Sequence, residues 1–211
     1  DVSDPQAVII GVGEKDISEV LQSIPQQWRD RLVLVQNELL PRDWSQQGIE
    51  NPTVISIWFE KKKGQDVKVI IPSPVFGPLA EFFQNALNAI DIDCSVLSHQ
   101  EELLFELVCK NVYILTTNIA GLEVGGTVGE LWNKHQSFAR EVAGNVMDIQ
   151  FQLIKQDLDR EELISAMVQA FEGDLDHKCM GRSAPARLQR AITQADDLGL
   201  DVKTLREIQD K

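Results

Sequence analysis

The chain has 211 residues, 43% hydrophobic and 25% charged, enough to bury a core without disulfide or metal staples. Its formal net charge of −13 argues against nucleic acid as a partner, because phosphate binding needs a concentrated basic surface. No unbroken apolar run approaches the roughly 20 residues of a membrane span and no charged-then-apolar leader opens the chain, so the expectation is a soluble, cytoplasmic protein with no membrane partner. Cys94, Cys109 and Cys179 form no CxxC and are read as reduced, buried thiols. His99, His135 and His177 are scattered without ligand spacing, so no metal site is expected.

Residues 7–12, AVIIGV, form a β-branched apolar run that predicts a buried strand. Ile17, Val20, Leu21 and Ile24 then recur at helical spacing within 15–30, with Pro25 kinking or ending the first stretch. LVLVQ at 32–36 predicts a second strand. Strand, helix, strand with short connections is a βαβ unit, and strands apolar on both faces belong to a parallel sheet covered by helices. Two further strands are predicted over 53–59 and 67–71, joined through Lys61–Lys62–Lys63 and Gly64 as a solvated hairpin turn. Pro72, Pro74 and Gly77 punctuate the chain before a helix over 79–90 that buries Leu79, Phe82, Phe83, Leu87 and Ile90. A short strand follows over 94–97.

From Ser98 onward the pattern is helical. Ser98 with Glu101 fits a capping box opening a helix to about 122, and Gly125–Gly126 breaks it. A helix over 128–155 comes next. Asp159 with Glu162 is a second capping box, with Leu158 and Leu163 as its staple. The last helices are placed at 160–172, 184–197 and 202–209, with Gly199 as a C-terminal cap. The fold class is therefore α/β: a partial Rossmann-like parallel sheet over 1–97, followed by an all-helical domain over 98–211 for substrate binding or dimerisation.

Gly11-Val12-Gly13-Glu14-Lys15-Asp16 looks at first like a dinucleotide phosphate loop. Such a loop wants a third glycine where Asp16 stands and an acidic residue at the end of the next strand, which here ends in Gln36-Asn37. The acidic turn also suits a pyrophosphate poorly. It is better read as the loop at the carboxyl edge of a later strand, an edge that still faces the cofactor crevice in open α/β sheets. The expectation is that the chain enters a nucleotide-binding fold partway through, with a strand-GxGxxG-helix segment encoded upstream of Asp1.

VIIGVGEKDISEVLQSIPQQW followed by LVLVQNELL resembles the second half of the Rossmann domain of ketopantoate reductases (2-dehydropantoate 2-reductases). Asn37 falls on that family's asparagine, Glu38 replaces the glycine that usually follows it, and Gly13 stands where a lysine is common. The stretch from Leu107-Val108-Cys109-Lys110 to Asn118, then Gly129-Glu130-Leu131, is similar to the helical-domain signature of the same family. Lys110 and Asn118 match in spacing, the middle asparagine is Ile114, and Ser183 stands at the position of a late glutamate. The resemblance covers roughly 7–205. It implies an NADP-dependent oxidoreductase, or one using NAD, that transfers a hydride to a small 2-oxo acid. It also implies Lys110 as the catalytic general acid, Asn118 and Asn37 as substrate-binding residues, and Gly13 and Asn37 as cofactor-binding residues.

The chemistry can be stated from the residues alone. Positions 110, 114 and 118 on one helix form a slowly drifting stripe. A lysine facing an interdomain cleft could give a proton to a carbonyl oxygen, with partial burial lowering its pKa into range at neutral pH. Asparagines both donate and accept, which suits the hydroxyl and carboxylate groups of a small acid. The plainer reading has Lys110 snorkelling from an apolar helix and Asn118 capping a bend before Gly121. Two other functions share the pattern: a non-enzymatic dimerisation or binding module built on the long helix 128–155, and a 3-hydroxy acid dehydrogenase-like enzyme. The partners expected are a small oxo or hydroxy acid and a second copy of the chain in a homodimer. Trp28, Trp44, Trp58 and Trp132 read as packing residues, while His177, Lys178 and Arg182 lie on a loop that could face a substrate.

Overall fold

A computed structural model of the protein describes residues 3–61 and 63–211, in two compact units, Asp1–Leu107 and Val108–Lys211. In the first unit, β1 (Val8–Ile10), β2 (Leu32–Leu34), β3 (Thr53–Ile55), β6 (Ser73–Phe76) and β7 (Cys94–Val96) form one sheet in the order β1-β2-β3-β6-β7. β1, β2 and β3 run parallel, with Ile9 opposite Val33 and Leu34 opposite Val54. β1 and β2 are joined by α1 (Ile17–Ser23) and a short 3-10 helix at Gln26–Arg31. Ile24 turns extended between them, as the residue before a proline is forced to do. α2 (Pro41–Ser45) carries the chain on to β3. Val33, Ile55, Val75, Phe83 and Cys94 form the buried core of the unit, with Phe83 contributed by α3 (Ala80–Asn88).

Several local expectations are corrected. β1 is not a buried strand along its length: it ends the sheet order, and Ile9 is 58% exposed. The segment 53–59 is not one strand: it breaks after Ile55, and Phe59–Glu60 (β4) pairs with Lys68–Val69 (β5) in a separate two-stranded ladder. The turn between β4 and β5 includes Lys62, which lies outside the described residues, while Lys61 and Lys63 are exposed. Pro72 and Pro74 do not merely punctuate, since Ser73–Phe76 is an interior strand, antiparallel to β3 and parallel to β7. Pro74 sits where β3 pairing ends; its carbonyl accepts from the Ser56 amide at 2.9 Å, and its missing N–H gives up one ladder bond. On α3, Phe82 is 54% exposed, because Leu79, Phe83 and Leu87 define the inward face and Phe82 is rotated off it by one residue, and Ile90, in the turn past the end of the helix, is 62% exposed.

α4 (Gln100–Val124) runs through the division between the units. Its N-terminal amides are capped by Glu102 rather than Glu101: one Glu102 oxygen accepts from Ser98 and His99 at 2.7 and 2.9 Å. α4 has the length and hydropathy of a membrane span, with mean hydropathy 1.3 over a window that is 83% buried in the fold. A helix covered on all sides is apolar all round, and a core helix passes the same test as a spanning one.

The second unit continues with α5 (Val128–Ile154), α6 (Arg160–Gly173), α7 (Ala184–Leu198) and α8 (Lys203–Gln209). Gly125 and Gly126 take φ of 62° and 74° at the break, a left-handed turn that glycine adopts at little cost. Thr127 and Glu130 then close a reciprocal capping box on α5. Asp159 accepts from the Glu162 amide at 2.9 Å to start α6, and Gly199 ends α7 at φ 66°.

Candidate functional site

Within the second unit, α4 places Lys110, Ile114 and Asn118 two turns apart end to end, and all three are under 10% exposed. Val108, Val112, Leu115 and Ile119 around them are buried as well, so water cannot solvate the ammonium well. Burial accordingly pushes the Lys110 pKa down from 10.5 to about 7; the nearby Arg187 charge works in the same direction and Cys109 opposes it. A lysine poised there exchanges a proton at neutral pH, which an exposed lysine does not.

Arg187 enters from α7. Its Nη1 donates to Asn118 Oδ1 at 3.0 Å, so Asn118 is tied across the unit rather than capping a bend within its own helix. A guanidinium has only donors, so the Asn118 atom facing it must be the oxygen, and the amide NH₂ points elsewhere, 3.5 Å from Thr117 Oγ1. Thr117 in turn donates back to the Tyr113 carbonyl at 2.8 Å. One residue past Lys110, the Asn111 amide donates to Gln150 Oε1 on α5 at 2.9 Å in a fully buried pair.

The other matched motif proves structural. Gly129 lies against the 174–182 loop: a Cβ there would stand 2.9 Å from the Leu175 carbonyl, to which the Gly129 amide donates. Glu130 caps with Thr127, and Leu131 is fully buried. The loop itself is a helix cap, since the His177 carbonyl accepts from the Val128 amide at 2.8 Å and Lys178 bridges to Thr127. His177 Nδ1 lies 3.5 Å from Asp174, while Arg182 is exposed. Ser183 is an exposed residue at the start of α7. Arg187, one turn further on, was not singled out by sequence; its signal is its place three residues after Ala184 and four before Ala191, on the flank of the buried stripe.

The three cysteines are free and buried, and burial pushes the Cys179 thiol up to about 11 and that of Cys94 up as well, which leaves both poor nucleophiles. Among the described residues no cluster of His, Cys, Asp or Glu could hold a metal ion.

In the first unit, Gly13 and Asn37 lie on the loops that follow β1 and β2, hence at the same edge of the parallel sheet. Gln36 stitches these loops together: its amide donates to the Ile10 carbonyl and its oxygen accepts from the Val35 amide. Asn37 is half-buried, and Glu38 beside it takes φ 60°, the left-handed conformation that favours glycine. The turn at Gly13 closes by a 3.0 Å bond from the Asp16 amide to its carbonyl and leads into a seven-residue α1 whose first turn carries Glu19. Acidic residues at that helix start do not fit a diphosphate.

No protein-family model and no curated protein matches the sequence. Solved structures do match in fold. A Staphylococcus aureus ketopantoate reductase, described as dimeric and kinetically cooperative, superposes with a TM-score of 0.60 at 17% identity over 96% of this chain and 74% of that one. D-mandelate dehydrogenase in a ternary structure with NADH and anilino(oxo)acetate reaches 0.68 at 11% identity, over 100% of this chain and 76% of that one. A probable 2-dehydropantoate 2-reductase of Bacillus subtilis gives 0.64 at 14% identity, over 99% and 76%. The fold is thus that of the ketopantoate reductases, a Rossmann-like sheet followed by a helical part, as the motifs led one to expect.

Proposed function

We propose that the chain is an NAD(P)-dependent oxidoreductase related to the ketopantoate reductases, reducing a small 2-oxo acid with Lys110 as general acid. The observation that carries this reading is a lysine buried on the stripe of α4 with its pKa brought to about 7. In the protonated form, Lys110 Nζ donates to the substrate's keto oxygen and releases its proton there as negative charge develops; the neutral amine left behind is the form its buried surroundings favour. Asn118, with Oδ1 engaged by Arg187, offers its NH₂ to an acceptor on the substrate. A nicotinamide cofactor, when bound, supplies the hydride. Gly13 and Asn37, at the carboxyl ends of β1 and β2, fit its nicotinamide end, and the acidic start of α1 does not fit its phosphates.

The two solved neighbours named for their chemistry support the class of reaction: one is a ketopantoate reductase and the other holds NADH with an oxo acid. In this reading residues 1–97 form the cofactor domain and 98–211 the substrate and dimerisation domain, and the protein works in the cytoplasm as a homodimer. The test is titration of the chain with NADPH and with NADH by fluorescence, followed by turnover of a panel of 2-oxo acids. Saturable binding below millimolar cofactor is expected, and Lys110→Ala should lower turnover by at least about 100-fold while sparing cofactor affinity. Absence of binding to either cofactor sinks the reading, and unchanged turnover in Lys110→Ala removes Lys110 from it.

A further inference from the structure

Three buried hydroxyl side chains lie along β3 and β6 or at their ends, and two of them serve the backbone. Thr53 Oγ1 accepts from the Leu79 amide and Ser73 Oγ from the Trp58 amide, each at 2.9 Å. Ser56 is placed differently. It is 3% exposed, and its Oγ meets no hydrogen-bonding partner among the described residues. Its backbone is held all the same, since its amide donates to the Pro74 carbonyl at 2.9 Å. On such extended backbone the hydroxyl cannot turn back onto a carbonyl one helical turn earlier, as Thr117 does on α4. A buried hydroxyl left unpaired costs free energy, and a ligand group that engages it relieves that cost.

The place of Ser56 in the sheet gives the class of that group. It is the first residue past the carboxyl end of β3. Because β1, β2 and β3 run parallel, this end lies at the same sheet edge as the loops bearing Gly13 and Asn37. Ile55 and Ile57 on either side of Ser56 pack into the core with Phe83 of α3, so the Ser56 side chain lies on the opposite face. Gln36 lies on that face by the same alternation after Val33 and Val35, and extending the β2–β3 register by two residues sets it beside Ser56. Both ends of the Gln36 amide are engaged elsewhere, on the Ile10 carbonyl and the Val35 amide. An edge built from the carboxyl ends of parallel strands is where open α/β sheets receive a ligand. We propose that Ser56 recognises the nicotinamide ring, its hydroxyl donating to the carbonyl oxygen of the ring's carboxamide. This rests on the reading of that edge as the place of the cofactor's nicotinamide end, and it adds the residue that identifies the ring. A neutral, buried hydroxyl suits an uncharged amide, whereas a phosphate brought there would lose its water with no positive charge to replace it.

The experiment titrates the full chain, wild type and Ser56→Ala, by calorimetry with NADH, with NADPH and with their thionicotinamide analogues, whose sulfur is a poor hydrogen-bond acceptor. Wild type should favour the ordinary cofactor over its thio analogue by about 3- to 10-fold, the scale of one hydrogen bond between uncharged groups. Ser56→Ala should bind the two alike, with the whole loss falling on the ordinary cofactor. Such a cycle isolates the contact between one side chain and one ligand atom, which a general loosening of the fold does not imitate. The variant should also melt no lower than the wild type, because alanine buries no unpaired hydroxyl. No preference in the wild type, or a preference undiminished in Ser56→Ala, overturns the proposal and leaves the oxidoreductase reading standing. No binding of either cofactor by the wild type sinks both.

Discussion

Replacing Lys110 by methionine keeps the apolar stem and deletes the ammonium, so its effect on stability reads the net cost of holding that charge in place, of which burial is the largest part. In the unfolded chain the group titrates near 10.5 and in the folded one near 7. At about 1.4 kcal/mol per pH unit, that gap is worth roughly 5 kcal/mol at most, and with Lys110 9% exposed, solvent screening takes little from it. The sign follows from proton counting. Below pH 7 both states hold the proton and folding carries the full cost of burying it. Between pH 7 and 10.5 the unfolded state binds the proton and the folded state does not, so stability rises with pH; above 10.5 the cost is gone. Lys110→Met should therefore be more stable than wild type by about 4 kcal/mol at pH 7 and by only about 2 kcal/mol at pH 9. Urea denaturation of both chains at pH 7, 8 and 9 measures the difference, in which the titrating groups that do not interact with Lys110 cancel. A difference that does not change over that range would show that Lys110 is solvated and refute the argument.

Four other substitutions test neighbouring parts. Asn111→Leu leaves the Gln150 amide buried without its 2.9 Å partner and should cost about 1–3 kcal/mol by denaturation, whereas Asn111→Leu with Gln150→Leu should recover most of it. Gly77→Ala should cost at least about 3 kcal/mol or prevent folding, since φ is +117° and a Cβ would stand 2.7 Å from the backbone of Pro52 and Thr53. Glu38→Gly should raise stability by about 1 kcal/mol by relieving a left-handed residue, visible as a higher denaturation midpoint. Ile114→Asn, one turn from Lys110, should move the alkaline fall in turnover to higher pH, because a polar neighbour weakens the desolvation that holds the lysine low; an unmoved midpoint would show that Ile114 has no part in it.

The elements that could be read from sequence were those whose physics is local. LVLVQ is apolar on both faces and its strand, β2, is buried throughout, as inside a parallel sheet, and Pro25 breaks the preceding helix whatever surrounds it. Lys110 and Asn118 were legible because their spacing is a property of one helix. What failed depends on partners far along the chain. Ser73–Phe76 looked like loop because two prolines frame it, and only the β3 strand end, where one missing amide matters little, makes it tolerable as an interior strand. Phe82 is as apolar as Phe83, and the sheet alone decides which of the two faces inward. Arg187 meets Asn118 across 69 residues of sequence, a contact for which no periodicity gives a signal.

Two neighbours of Lys110 act in one direction. An isoleucine where an asparagine is expected takes a dipole away from the side of Lys110, and Arg187 behind Asn118 brings a like charge closer. Either change alone disfavours the ammonium; together they hold it where a proton is released readily at neutral pH. Burying that charge costs several kcal/mol at neutral pH on a stretch of α4 where Val108, Val112, Ile114, Leu115 and Ile119 are buried around it.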